Sequence, residues 1–235
     1  MNEQTSLENQ ALLEFWSAVF TIPEEEKEAA RQDPGSWEEL CPSEKLLRAV
    51  CAFGGRKNVL DYGCGNGWAA IAAAKNGCNA VTAVDAAPNA AEAARFCASL
   101  FDAEDQVHAG CVSGDWLCSV PAKTYDGFIC CNVLDTVPPE TAEAILREAA
   151  RVVTPDADIL IGLNNHLTPE AAAEKGIELV DGCRVYLDGI LRLVSRTDEE
   201  WAERFSPYFT VEQLEYYAWP GETEETRRLF RLRRR

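Results

Sequence analysis

The stretch VLDYGCGNGW, residues 59–68, decides the reading of this chain. Val59 and Leu60 open an apolar run that reads as a strand. Trp68 leads "GWAAIAAAKNG", an alanine-rich segment that reads as a helix ending at Gly77. Between them stand Gly63, Gly65 and Gly67. Three alternate glycines are costly in conformational entropy, and a plain strand-to-helix turn needs only one. The spacing therefore predicts a tight backbone turn that admits a ligand closely. In open α/β sheets ligands sit outside the carboxyl ends of the strands, which is where this turn falls.

The alternation continues on the C-terminal side. "NAVTAVD" reads as a strand, "PNAAEAARFCASLFD" as a helix with Pro88 in its first turn, and "QVHAG" as a weaker strand. "DGFICCN" (strand), "PPETAEAILREAARVV" (helix) and "ADILIGLN" (strand) follow. Such alternation implies right-handed crossovers and a parallel sheet covered on both faces. "FTVEQLEYYAWPGETEETRRLFRLR" differs: two strand-like runs joined at Pro220-Gly221 predict an antiparallel hairpin. Residues 1–55 read as a helical lead-in or lid. They contain a helix over 7–20 with Ser6 as its candidate cap, a charged stretch "PEEEKEAARQDPG", and a second helix through "PSEKLLRAVCAF". Residues 56–235 form the main domain, and 164–207 read as an insert on the substrate side.

Composition excludes several classes. Lys+Arg number 22 against 39 Asp+Glu, a formal charge of -17, whereas nucleic-acid binders show a basic footprint. The one dense basic run, "RRLFRLRRR", fits a strand with one solvated face equally well. The ten cysteines are scattered, without a CxxC pair or Cys/His metal spacing, so a metal site is not expected. Reduced thiols, no signal peptide and no apolar run of membrane-spanning length predict a cytoplasmic protein, as monomer or homodimer.

The glycine turn admits two nucleotide readings. A dinucleotide fingerprint places a small residue where Trp68 stands, and Trp cannot give close helix–strand packing there. The pattern is D-x-G-x-G-x-G instead, beginning at Asp61. A phosphate-cradling loop ending in Gly-Lys-Ser/Thr is absent. The next strand ends in Asp85, where a carboxylate can accept both hydroxyls of a ribose. Residues 57–163 resemble the class I S-adenosylmethionine-dependent methyltransferases in "LDYGCGNGW", "VTAVDAAP", "YDGFICCNVLDTVP" and "ILREAARVVTPDADILIGLN". One departure is the turn before strand five, "TPDAD", where the family commonly has Pro-Gly-Gly.

The resemblance implies an α/β, Rossmann-like three-layer sandwich. Its mostly parallel seven-stranded sheet has order 3-2-1-4-5-7-6 with an antiparallel C-terminal hairpin. It implies S-adenosyl-L-methionine as cofactor and S-adenosyl-L-homocysteine as product. The turn Gly63-Cys64-Gly65 to Gly67 would pack against the methionine and ribose parts, with Asp61 near the amino group, Asp85 on the ribose hydroxyls and Ala86 beside the adenine. For the adenine amino group, Asp115-Trp116 competes with Gly110-Cys111, and Asp115 is favoured. A cap within the loop is the plain alternative for Asp61, an exposed turn acid for Asp85, and a core or cap aromatic for Trp116.

The catalytic candidates are thinner. Asn132 follows strand four and could orient cofactor or substrate, or cap the turn. Asp135 has similar standing. His166, after strand five, is the one nearby side chain suited to base chemistry near neutrality, although a lone loop His is more often a packing residue. Tyr186 and Arg192 read as packing and surface pairing. The expected function is methyl transfer to a small-molecule acceptor, with no nucleic acid or membrane partner. A non-catalytic module that binds S-adenosylmethionine or S-adenosylhomocysteine is the alternative, and an NAD-linked oxidoreductase stands third, against Trp68.

Overall fold

The computed structural model describes residues 3–235, with side chains from residue 7 onward. Three helices lead in: α1 (Glu3–Val19), α2 (Glu24–Gln32) and α3 (Glu44–Cys51). α1 starts before Ser6, so that residue lies inside the helix rather than at its cap. α2 occupies the charged stretch that gave no helical pattern, and it buries no residue. Acidic Glu24, Glu25 and Glu26 in its first turn and Arg31 in its last suit the helix dipole, so charge rather than an apolar stripe supports it.

Then comes the alternation: β1 (Val59–Tyr62), α4 (Trp68–Lys75), β2 (Val81–Asp85), α5 (Pro88–Leu100), β3 (Val107–Cys111), β4 (Tyr125–Cys131), α6 (Pro139–Val152) and β5 (Val153–Leu163). The insert holds α7 (Pro169–Glu174), β6 (Arg184–Leu187), β7 (Ile190–Val194) and α8 (Asp198–Phe205). β8 (Phe209–Tyr217) and β9 (Arg227–Arg234) close the chain. The main sheet runs β3-β2-β1-β4-β5-β9-β8, and β6 pairs with β7 apart from it. With that small hairpin set aside, the order is the expected 3-2-1-4-5-7-6. β1 to β5 pair in parallel, and β9 and β8 pair antiparallel.

Successive strand residues feed opposite faces, as the pleat requires. Val59 and Ile129 pack with Ile71, Phe53 and Leu229 under α3, α4 and α5. Leu60, Phe128 and Cys130 pack with Leu146, Trp201, Phe205 and Phe230 under α6 and α8. Each fully buried large side chain contributes roughly 1.5–3 kcal/mol.

Two sequence readings change. Strand five is longer than "ADILIGLN" and contains Pro155 to Asp158. Its pairing with β4 jumps from Tyr125↔Val153 to Gly127↔Asp158, so the expected turn survives as a bulge, the place a strand tolerates proline. "RRLFRLRRR" is solvated only in its second half, where Arg231 and Arg233 are half-buried and Arg235 is exposed. β9 is an inner strand between β5 and β8, and its first four residues are buried, Arg227 and Arg228 included.

Candidate functional site

Gly63, Gly65 and Gly67 all have positive φ, at 72°, 54° and 81°. The Gly63 and Cys64 amides donate to the Val84 carbonyl at 2.8 and 3.0 Å, which pins the turn to the end of β2. Space is as short as conformation. A Cβ on Gly63 would lie 2.2 Å from Val133 Cγ2, one on Gly65 2.8 Å from the Phe20 ring, and one on Gly67 3.0 Å from Ala94 Cβ. Cys64 is buried inside the turn, and burial raises its thiol pKa, so it is held as a neutral filler.

Asp61 reaches under the turn. Its Oδ2 accepts from the Ala70 amide at 3.1 Å and so caps α4, whose N-cap residue, Gly67, has no side chain. The carboxyl is buried, and burial raises its pKa to about 7. Asp85 ties the two halves of the site together: Oδ2 accepts from the Gly65 amide at 3.0 Å and Oδ1 from the Ala87 amide at 2.8 Å. Each carboxylate oxygen has two acceptor positions, so each retains one. Burial moves the Asp85 pKa up while these amides hold it down.

Beside Asp85 the register places Cys111, whose Sγ donates to the Ala86 carbonyl at 3.7 Å. Gly110-Cys111 thus borders Asp85 and Ala86 directly. Asp115 sits beyond it, exposed, and accepts from Ser113 Oγ at 2.6 Å. Trp116 is half-buried against the core under α6.

Across the turn, Asn132 takes a left-handed conformation, φ 58°, which Asn tolerates better than most residues. Its amide donates to the Gly162 carbonyl at 2.8 Å, while its Nδ2 is buried without a partner. A buried donor without an acceptor is a place where a bound group gains most. Asp135 is fully buried. Its Oδ2 accepts from the Asn164 amide at 2.6 Å, its carbonyl accepts from Val194 at 2.7 Å, and its Oδ1 has no partner. It therefore joins the loop after β4 to the end of β5 and to the insert. His166 is half-buried in the loop after β5.

Three neighbours carry no motif signal. Arg228, 1% exposed, donates twice to the Asn164 carbonyl, at 2.9 and 2.6 Å, and once to the Arg196 carbonyl at 2.6 Å. Arg227 donates to Asn164 Oδ1 at 2.5 Å and stacks 3.5 Å from the Trp219 ring centroid. Phe20, at the end of α1, rests on Gly65. The density of "RRLFRLRRR" was the only clue to the arginines, and nothing local marked Phe20.

The lead-in and the insert meet beyond this edge. Leu12 packs with Leu191 and Val194, the Arg192 guanidinium lies 3.7 Å from the Phe15 ring centroid, and Tyr186 donates to Glu8 Oε1 at 3.0 Å. Tyr186 and Arg192 thus do the packing and pairing expected of them. The residues around the turn fit a sulfonium nucleoside: a tight left-handed glycine turn, a carboxylate with spare acceptor positions for a ribose, and an orphan amide at the strand-four end. Among the described residues, no group of three or more His, Cys, Asp or Glu is placed to hold a metal ion. All ten cysteines are free, and no described helix is long and apolar enough to cross a membrane.

Residues 59–156 match a family model described as a methyltransferase domain. A ubiquinone biosynthesis O-methyltransferase of Neisseria meningitidis serogroup A / serotype 4A is 31% identical over 109 residues, covering 46% of this chain and 44% of that protein. One from serogroup C is 27% identical over 151 residues, covering 64% and 58%. The chain thus spans about half the length of the curated relatives it matches. Among solved structures, an N-methyltransferase of Bradyrhizobium japonicum in complex with S-adenosyl-L-homocysteine superposes with TM-score 0.58 at 16% identity, covering 87% of this chain and 90% of that one. A magnesium protoporphyrin IX methyltransferase of Synechocystis with bound S-adenosylhomocysteine gives 0.60 at 20% identity, covering 82% and 81%. At these identities the likeness is one of fold.

Proposed function

We propose that this chain, which carries a methyltransferase domain of the class I S-adenosylmethionine-dependent type, transfers a methyl group from that cofactor to a small-molecule acceptor. The observation that carries the reading is the bond from the Gly65 amide to the Asp85 carboxylate. It fixes the glycine turn against the acid ending β2, so that the groups for the amino-acid and ribose ends of one ligand stand side by side. When bound, the cofactor supplies a sulfonium methyl group that an acceptor nucleophile takes in line, the carbon–sulfur bond breaking to leave the thioether S-adenosylhomocysteine. The chain's own work is to hold, orient and exclude water. Asp85 would accept the ribose hydroxyls with its remaining acceptor positions, Ala86 and Cys111 would flank the adenine, and Asp61 would lie on the amino-group side. Asn132 Nδ2 would orient cofactor or acceptor where the methyl group emerges.

Asp135, buried away from solvent, would act by positioning the loops around the acceptor. His166, in the loop after β5, would take a proton if the acceptor arrives protonated. α1 and the β6–β7 hairpin would cover the acceptor side, and the formal charge of -17 favours a neutral or cationic small molecule over nucleic acid. The curated relatives named for ubiquinone biosynthesis and the porphyrin methyltransferase support a small-molecule acceptor.

Calorimetric titration with S-adenosylhomocysteine and with NADH tests the reading. Binding of the first alone is expected, and binding of NADH alone would overturn it. Asp85→Ala should weaken S-adenosylhomocysteine more than tenfold, since the ribose hydroxyls lose a charged partner. Unchanged affinity would remove Asp85 from the ribose. Labelled methyl donor incubated with acceptor pools separates an enzyme from a module that only binds.

A further inference from the structure

On the outer side of the glycine turn, which contributes Asn66 to its wall, lies a cavity of about 460 Å³. It is an open cleft flanked by the α1–α2 junction, the stretch from Pro34 to Leu40, and α5. That volume is in the range of small-molecule sites. Its walls mix polar groups with apolar side chains, Phe20, Ile22, Leu40, Phe96 and Phe101 among them. Two exposed carboxylates, Glu26 and Glu39, line the same space, and among the described residues neither has an ion-pair or side-chain hydrogen-bond partner. No lysine, arginine or histidine lines it. Arg31 lies 5.4 Å from the Phe96 centroid and is paired with Glu24 and Glu28, both at 3.2 Å.

Aromatic walls and two carboxylates without counter-ions are the complement of an organic cation. The apolar body gains from burial and the ammonium from both the acids and the ring faces. An anion of the same shape would meet two like charges, and the one guanidinium stacked on a wall ring, Arg31, is already paired with Glu24 and Glu28. We propose that this cavity binds a primary or substituted amine with an aromatic or branched apolar body. Phe20 lines the cavity and also touches Gly65, so the amine would sit one ring away from the turn. The site is separate from the methyl-transfer reading, and it stands or falls independently of it.

The test uses the full chain at pH 7.5 with two probes of matched shape, phenethylamine and 3-phenylpropionate, followed by calorimetry or ligand-observed NMR. Phenethylamine should bind, and 3-phenylpropionate at least tenfold more weakly. The double variant Glu26→Gln/Glu39→Gln, at two exposed positions, should weaken the amine at least tenfold. Leu100→Trp, which fills the cavity from a half-buried wall position, should abolish its binding. S-adenosylhomocysteine affinity, measured on the same samples, should stay within twofold throughout and reports separately on the cofactor site. Equal binding of both probes, no binding of the amine, or amine binding unchanged in the double variant would overturn the proposal.

Discussion

The carboxyl edge of the sheet is built in two ways. Around β1 and β2 the work falls to backbone: three left-handed glycines, amides donated to Val84, and one carboxylate, Asp85, that receives two amides and keeps acceptor positions to spare. Around β5 and β9 it falls to buried charge: Asn164 links Asp135, through its amide, to Arg228, through its carbonyl, and Arg228 also holds the Arg196 carbonyl. The first region leaves polar capacity available to a ligand. The second uses nearly all of it on the fold. Substitutions should therefore separate binding from stability according to which region they touch.

The largest effect is expected at Arg228. Replacement by Leu leaves the Asn164 and Arg196 carbonyls without their donors and removes the positive charge nearest the buried Asp135. The cost should be about 3–5 kcal/mol, measured as a fall in the urea unfolding free energy. S-adenosylhomocysteine affinity of the folded protein should change less than twofold. A cost below about 1 kcal/mol would show that the second region does not rest on its charge network.

The two regions also differ in how far the sequence revealed them. The glycine turn was legible because its first cause is local: each glycine answers to its own left-handed φ, and Asp85 ends a strand that alternation alone marks out. The parallel order followed from the same alternation. Arg228 was not legible, because its partners at 164, 196 and 198 lie some thirty or more positions away in sequence and nothing in "RRLFRLRRR" distinguishes a buried arginine from a solvated one. α2 was missed because it buries nothing, so the apolar periodicity on which helix assignment depends is absent. Proline and acids made "TPDAD" read as a turn, whereas the β4 register absorbs it as a bulge. For Asp61 the sequence left ligand and cap open. The structure supplies the cap and leaves the ligand role to be tested.

Asp61 sharpens the comparison through pH. Its carboxyl moves from the model-compound value of 3.8 to about 7 because it is buried. A raised carboxyl pKa means that the folded protein binds the proton more tightly than the unfolded chain. The stabilisation is full below about pH 4 and is lost as pH rises through about 7. Between pH 5 and pH 8 the ligand-free protein should lose on the order of 2–3 kcal/mol from this group. Asp61→Asn keeps an oxygen for the Ala70 amide and removes the titration, so its unfolding free energy should be flatter over the same interval by that amount. Parallel pH profiles for the two proteins would show instead that Asp61 remains ionised under the turn.

The smallest effect separates conformation from crowding within the turn itself. Gly63→Ala meets two penalties: a left-handed φ of 72°, which costs an L-residue about 1–2 kcal/mol, and a Cβ 2.2 Å from Val133 Cγ2. Val133→Ala removes the second and leaves the first. In a double-mutant cycle the pair should be less destabilised than the sum of the single variants by about 1 kcal/mol, the part owed to crowding. Gly63→Ala alone should remain destabilising by at least as much as its conformational share. Strict additivity would mean that the turn shifts to relieve the contact. The same shift would also move the Gly65 amide away from Asp85, so additivity in stability should be accompanied by a loss of S-adenosylhomocysteine affinity in the single variant, whereas coupling should leave that affinity close to its original value in the double variant.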